Sequence, residues 1–205
     1  MGQILVLAGV NGAGKSSLLG SILREHDVPW FNPDTYTRQL VEAGWEASEA
    51  NSIAWNEGRQ RLEEAIETGR NHAFETTLGG DTIKQLLMQA SATQQVVMWY
   101  CGLEGVDLHI ERVAARVAAG GHDILRERIL ARYQSSRANL VQLIPHLTCL
   151  RVFDNSAPAQ DEAELQLVLE MNEGELLHPC TPDQLRLTPQ WAQPIVMGAL
   201  NYVDQ

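Results

Sequence analysis

Eight consecutive residues near the N-terminus have types and spacing suited to gripping phosphate. Gly9-Val10-Asn11-Gly12-Ala13-Gly14-Lys15-Ser16 fits G-x-x-x-x-G-K-[ST] in full, and Ser17 follows it. Glycines open backbone angles closed to other residues and let the chain approach a ligand. Such a turn aims successive N–H groups inward, and the helix that follows adds the positive end of its dipole. Lys15 supplies a mobile cation for β- and γ-phosphates, and the Ser16 hydroxyl suits Mg²⁺. Gly9, Asn11, Gly12, Ala13, Gly14, Lys15, Ser16 and Ser17 are therefore the expected contacts for ATP, with Ser16 as metal ligand.

Two acids stand at the ends of short apolar runs. Asp34 follows Trp30-Phe31-Asn32-Pro33, where a strand end would open onto the γ-phosphate. A carboxylate there can take the proton of an attacking hydroxyl. An Asp after Pro at a helix start is also good capping chemistry, and one residue can do both. Glu75 lies in Phe74-Glu75-Thr76-Thr77, where an acid is costly unless paired or facing an ion. Its expected role is to hold the acceptor hydroxyl or Mg²⁺-bound water.

Basic residues gather in one stretch. Arg112, Arg116, Arg126, Arg128, Arg132 and Arg137 are six of the chain's fifteen Lys and Arg. Arg112/Arg116 and Arg128/Arg132 are i, i+4 pairs, each on one helix face, with Gly120-Gly121 between them as a hinge. Closing on a triphosphate, such arginines stabilise transferring charge. Glu111 and Glu127 could equally pair with them on a solvated helix.

These parts separate the phosphate-loop classes. The string Asn-Gly-Ala-Gly-Lys-Ser-Ser is similar to that of ABC transporter ATPases, but no LSGGQ-type signature or apolar strand ending in Asp-Glu occurs. Leu78-Gly79-Gly80-Asp81 is a poor approach to the signature. The Asn-Lys-x-Asp of GTPases is absent. A small-molecule kinase needs only an acceptor-side carboxylate and a basic lid, and both are here.

The elements that must carry these residues alternate between strand and helix, as in a parallel α/β sheet. Ile4 to Ala8 reads as a buried central strand, followed by a helix from about Lys15 to His26. Trp30 and Phe31 read as a short second strand, and Asn32-Pro33-Asp34 as its break and the cap of a new helix. Ala47 to Gly69 reads as a long helix with Trp55, Leu62, Ala65 and Ile66 on one stripe. His72 to Thr77, Gln95 to Cys101 and Cys149 to Phe153 are the next strands. A helix bearing Ile83, Leu86, Leu87 and Ala90 follows the first of these. A helical region from Asp107 to about Leu147, broken at Gly120-Gly121-His122, follows the second. Alternation at Leu165, Leu167, Leu169 and Met171 predicts an edge strand or hairpin turning at Asn172-Glu173-Gly174. A proline-punctuated loop and a short helix close the chain.

The whole is 205 residues, 44% hydrophobic, enough for one packed α/β domain with an appendage. A net charge of −11 argues against a nucleic-acid partner, although the arginine stretch is locally basic. Three cysteines without a C-x-x-C, and histidines without metal-ligand spacing, predict buried thiols in a reducing compartment. The N-terminal apolar run has no basic flank and is too short for a signal or span, which predicts a cytoplasmic protein without a membrane segment.

Five segments taken in order resemble the zeta-toxin-like kinases. They are Val10 to Ser16; Phe31-Asn32-Pro33-Asp34; Phe74-Glu75-Thr76-Thr77-Leu78; Arg112 through Gly120-Gly121-His122; and Arg132-Tyr133 through Asn139-Leu140, closing with Asp154-Asn155-Ser156. The resemblance is to the broader branch often labelled as ABC-type ATPases. It implies an α/β, three-layer P-loop fold with five parallel strands. A kinase domain would span 1–156, with a lid at about 107–140 and a small C-terminal extension, 157–205, packed on the same domain. It implies Asp34 as catalytic base, and Arg116, Arg137 and Arg132 as phosphate-binding arginines. In toxin members the acceptor is the 3′-hydroxyl of UDP-N-acetylglucosamine, and a small antitoxin protein blocks the nucleotide site. Toxin members carry a different string around the acid that aligns with Glu75. The readings left open beside a sugar-nucleotide kinase are a kinase for a nucleoside or another sugar, and a non-catalytic ATP-binding switch.

Overall fold

The computed structural model describes residues 1–25, 28–121, 123–157 and 165–204. His26, the expected end of the first helix, and His122, in the expected break, lie outside the described residues. One six-stranded sheet runs in the order β2-β1-β3-β4-β5-β6. Its strands are β1 Gln3–Ala8, β2 His72–Thr76, β3 Gln95–Gly102, β4 Cys149–Asp154, β5 Gln166–Asn172 and β6 Glu175–His178. β2, β1, β3 and β4 are mutually parallel, and β5 and β6 add an antiparallel hairpin.

The expected fifth parallel strand is not formed. Trp30-Phe31 makes one parallel bridge, Phe31 to Phe74, at the outer edge of β2. Pro29 lacks a backbone donor, and Pro33 starts a helix two residues after Phe31, so the run is too short to propagate. The hairpin after residue 165 and its turn at Glu173-Gly174 lie where the alternation predicts; Glu173 and Gly174 both take positive φ.

Alternation along β1 shows why helices cover both faces. Ile4, Val6 and Ala8 join a core closed by α3 (Ala47–Thr68), α4 (Asp81–Ala90), α6 (Arg126–Leu143) and α8 (Gln193–Val203). Leu5 and Leu7 face the other way, against α1 (Gly20–Glu25) and α5 (Val106–Ala118), through Leu23 and Leu108. Two sided burial of a parallel strand is what an uninterrupted apolar run encodes. The buried stripe of α3 differs from the expected one: it is Ala50, Ala54, Gly58, Leu62 and Ala65. Small residues are needed because Phe31 lies against Gly58, where a Cβ would come within 2.8 Å of its ring. Trp55 is instead 48% exposed.

Among the described residues no helix is long and apolar enough to cross a membrane. Cys101 is buried and Cys149 half-buried, while Cys180 is exposed, against the expectation of buried thiols throughout.

Candidate functional site

The glycine-rich turn leaves the carboxyl end of β1, between β2 and β3, where a parallel sheet opens a crevice. Gly9, Gly12 and Gly14 have φ of 138°, 83° and 95°, which L side chains rarely adopt. A Cβ on Gly9 would stand 2.1 Å from the Cys101 carbonyl, so this position admits no side chain. Lys15–Leu19 then winds as a π-helical turn before α1 begins.

Buried side chains hold the loop from behind. The Asn11 carbonyl accepts from His109 Nδ1 at 2.9 Å. The Ala13 carbonyl accepts from Asn155 Nδ2 at 2.9 Å and from the Cys101 thiol at 3.0 Å. In a planar trans peptide the C=O and the next N–H point opposite ways. Fixing these carbonyls therefore aims the N–H groups of Gly12 and Gly14 away from the supports. Burial pushes the Cys101 thiol up to about 12, so it stays a neutral donor. Burial pulls His109 down to about 4, opposed by its bond to the Asn11 carbonyl and reinforced by Lys15, Arg112 and Arg137.

Glu75 brings the chemistry-bearing groups together. It is buried at the end of β2, beside β1. Ser16 Oγ donates to it at 2.8 and 2.9 Å, Asn32 Nδ2 donates at 2.8 Å, and Lys15 Nζ lies 3.7 Å away. Lys15 also reaches the Val10 carbonyl at 3.4 Å. The two ends of Asn32 do different work. Its Oδ1 accepts from Thr35 N at 3.1 Å and so caps α2 (Pro33–Glu42). Asp34 is thus in the first turn of α2 rather than its cap, and its half-exposed carboxylate faces the crevice with Arg116 at 3.7 Å.

These groups line one cleft of about 810 Å³. Lys15, Asn32, Asp34 and Glu75 line it, as do Ser48, Asn51, Trp55 and Arg59 of α3. Asp123, Ile124, Leu125, Arg128 and Arg132, from the segment between α5 and α6 and from α6 itself, line it as well. Arg132 Nη1 donates to Asn11 Oδ1 at 2.7 Å, which ties α6 to the loop. Burial pulls its guanidinium below the ordinary value, and Asp34 opposes this. Gly120, with φ of 88°, ends α5.

The other arginines divide. Arg137 is engaged away from the cleft: Nε donates to the Tyr133 carbonyl at 2.8 Å, Nη1 to the Trp191 carbonyl at 3.1 Å, and the group lies 4.0 Å from the Tyr133 ring centroid. Arg112 donates to the Ala157 carbonyl, and Arg126 pairs with Asp107. Ser17 is exposed on the first turn of the helix. Trp55 and Arg59 were not singled out for the site because α3 reads as a plain amphipathic helix; the small residues Ala54 and Gly58 between and beside them are the signal that turns Trp55 outward.

A magnesium ion fits the donor set rather than a dedicated cage. Among the described residues no group of three or more His, Cys, Asp or Glu could hold a metal. A Ser hydroxyl beside a buried carboxylate, sharing the ion with phosphates and water, is how Mg²⁺ is commonly held.

No family model matches the chain. An uncharacterized protein of Haemophilus influenzae is 26% identical over 140 residues, 64% of this chain and 92% of that one. Among solved structures, the AvrRxo1-ORF1:AvrRxo1-ORF2 complex with sulphate ions superposes at a TM-score of 0.65 and 17% identity over 93% of this chain. The same pair with ATP gives 0.65 and 15% over 86%. This chain spans 65% and 60% of those two chains. The PezAT chromosomal toxin–antitoxin system of Streptococcus pneumoniae gives 0.54 and 15%, covering 75% of this chain and 67% of that one. The chain shares their fold: a mostly parallel α/β sheet with helices on both faces.

Proposed function

We propose that this chain is an ATP-dependent phosphotransferase of the zeta-toxin-like kind, moving the γ-phosphoryl group to a hydroxyl of a small molecule. The observation that carries the reading is the shared cleft of Lys15, Asp34 and Glu75, with Asp34 released from capping by Asn32. The ATP bound by a protein of the same fold supports the nucleotide.

In this reading the loop N–H groups and Lys15 hold the β- and γ-phosphates, and Gly9, Asn11, Gly12, Ala13, Gly14 and Ser17 shape that cradle. Ser16 would hold Mg²⁺, with Glu75 reaching it through water, and the ion would neutralise phosphate charge. Asp34 takes the acceptor's proton as its oxygen attacks. Arg116 and Arg132 flank Asp34 and Asn11, where they meet charge on the group in transfer. Arg137 supports the lid through Tyr133. UDP-N-acetylglucosamine is the acceptor to try first. A small protein partner of antitoxin type follows the complexes formed by the solved relatives, and a cytoplasmic setting suits ATP chemistry.

The test is ³¹P NMR of Mg·ATP with the protein and UDP-N-acetylglucosamine, beside an acceptor-free sample and Lys15→Ala. A new phosphomonoester resonance that requires both acceptor and Lys15 is expected. ATP unchanged in every sample removes this acceptor, and unchanged ATP with a panel of nucleosides and sugars removes the kinase reading in favour of a switch.

A further inference from the structure

The C-terminal segment reaches the nucleotide loop by two chains of contact, and both start at Trp191. This residue is 3% exposed and lies in the turn before α8. Its indole fills the space over Gly102, where a Cβ would come within 2.3 Å of the ring. It also stacks on Tyr100, with ring centroids 6.3 Å apart.

The first chain runs through the indole. Nε1 donates to Asp154 Oδ1 at 3.2 Å, at the end of β4. Asp154 also accepts from Ser156 N, which shapes the turn that carries Asn155. Asn155 N donates to the Gly102 carbonyl at 3.0 Å, and its Nδ2 donates to the Ala13 carbonyl at 2.9 Å.

The second chain runs through the backbone. The Trp191 carbonyl accepts from Arg137 Nη1 at 3.1 Å. The guanidinium lies over Tyr133, whose ring stands edge-on to His109 at 5.5 Å. His109 Nδ1 donates to the Asn11 carbonyl at 2.9 Å. The two chains therefore end on the carbonyls that orient the Gly12 and Gly14 N–H groups.

We propose that Trp191 is a positioning residue for the phosphate loop, so that the C-terminal extension sets the loop's affinity for ATP; this rests on the reading of the loop as an ATP site. Binding N–H groups that are already aimed costs less than binding a loop that must be ordered first. The extension is thus part of the nucleotide site without touching the nucleotide.

Isothermal titration of Mg·ATP into wild type, Trp191→Phe, Arg137→Met and Leu187→Ser tests this, with melting temperatures and Gly12 and Gly14 amide resonances read on the free proteins. Phenylalanine loses the indole N–H together with the outer ring atoms that lie over Gly102, so melting temperatures are read beside Kd. We expect Kd to rise about three- to tenfold, the loss of one hydrogen bond's worth of order. The Gly12 and Gly14 amides should shift in Trp191→Phe and in Arg137→Met, and stay in place in Leu187→Ser. Leu187, 71% exposed in the same extension, should bind as wild type when changed to Ser. Arg137→Met cuts the second chain without touching the indole, and should weaken ATP even where Trp191→Phe fails to fold. Wild-type affinity in both Trp191→Phe and Arg137→Met, with unmoved glycine amides, would overturn the link and leave the ATP reading standing. No uptake of ATP by wild type would instead remove the ATP reading, and the link with it.

Discussion

The Ser16 hydroxyl is hydrogen-bonded to the Glu75 carboxylate, 2.9 Å from Oε1 and 2.8 Å from Oε2, across the junction of β1 and β2. Lys15 sits 3.7 Å from the same acid. One buried carboxylate thus engages the side chains of both Lys15 and Ser16. In the proposed function, Lys15 would have to turn from Glu75 toward the phosphates, and Ser16 toward the ion.

Glu75→Gln should therefore separate stability from binding. Lys15 would lose its counter-charge and keep the Val10 carbonyl at 3.4 Å as its remaining partner among the contacts described. Leaving a buried polar group so poorly satisfied costs about 1–3 kcal/mol. The melting temperature of the free protein should fall by several degrees. ATP with a chelator should then raise it by more than in wild type, because the phosphates replace the lost charge. Equal ATP-induced gains in the two proteins would show that Glu75 does not compete with ATP for Lys15.

Asp34→Asn should remove transfer and spare binding. The carboxylate faces the cleft, and capping of α2 is carried by Asn32, so the substitution leaves the helix start intact. General-base contributions run to about 10²–10⁴-fold. Single-turnover rates should drop by that factor while the Kd for Mg·ATP stays within about twofold of wild type. A rate within tenfold of wild type would move the base elsewhere.

The loop, the positions of β1, β2, β3 and β4 along the chain, and the hairpin were legible because each is a local pattern. A glycine string follows an apolar run, runs of five to eight residues end in polar turns, and period-two alternation precedes Asn-Glu-Gly. What was not legible depends on contacts between distant segments. Phe31 looks like part of a strand, yet Pro29 and Pro33 confine it to one bridge. Asn32 and Asp34 both look like caps, and the bond from Thr35 N decides for Asn32. Trp55 looks like a core residue, but Gly58 and Ala54 take the buried stripe and leave it on the cleft. Arg137 looks like its neighbours in the arginine stretch; Trp191, 54 residues on, engages it.

Trp55 lines the cleft together with Leu125, Arg59 and Arg128, and in the proposed function its ring would meet the acceptor. An aromatic face of this kind contributes about 0.5–1.5 kcal/mol beyond its buried area. Trp55→Ala should raise the KM for UDP-N-acetylglucosamine about two- to tenfold and leave the KM for ATP unchanged. Steady-state kinetics with each substrate varied in turn would check this. A matching rise in both constants would place Trp55 in the architecture of the cleft rather than on the acceptor.

His109 should make the fold sensitive to acid. Burial lowers its pKa from 6.5 to about 4, against the bond it gives Asn11 and with help from Lys15, Arg112 and Arg137. Above pH 6.5 the ring is neutral in both folded and unfolded chains, and the pH does not act through it. Between about 6.5 and 4 the unfolded chain takes up a proton that the fold refuses, so stability falls as the pH falls. The loss reaches about 3 kcal/mol at the bottom of that window and grows no further below it. His109→Asn keeps an N–H near the Nδ1 position and cannot titrate. Urea midpoints at pH 7 and pH 5 should fall further for wild type than for the variant, by the equivalent of about 2 kcal/mol. The difference isolates His109 from His72, whose pKa burial also lowers. Identical pH dependence in the two proteins would mean that the ring accepts its proton in place, and that the Asn11 carbonyl is held by something other than a neutral imidazole.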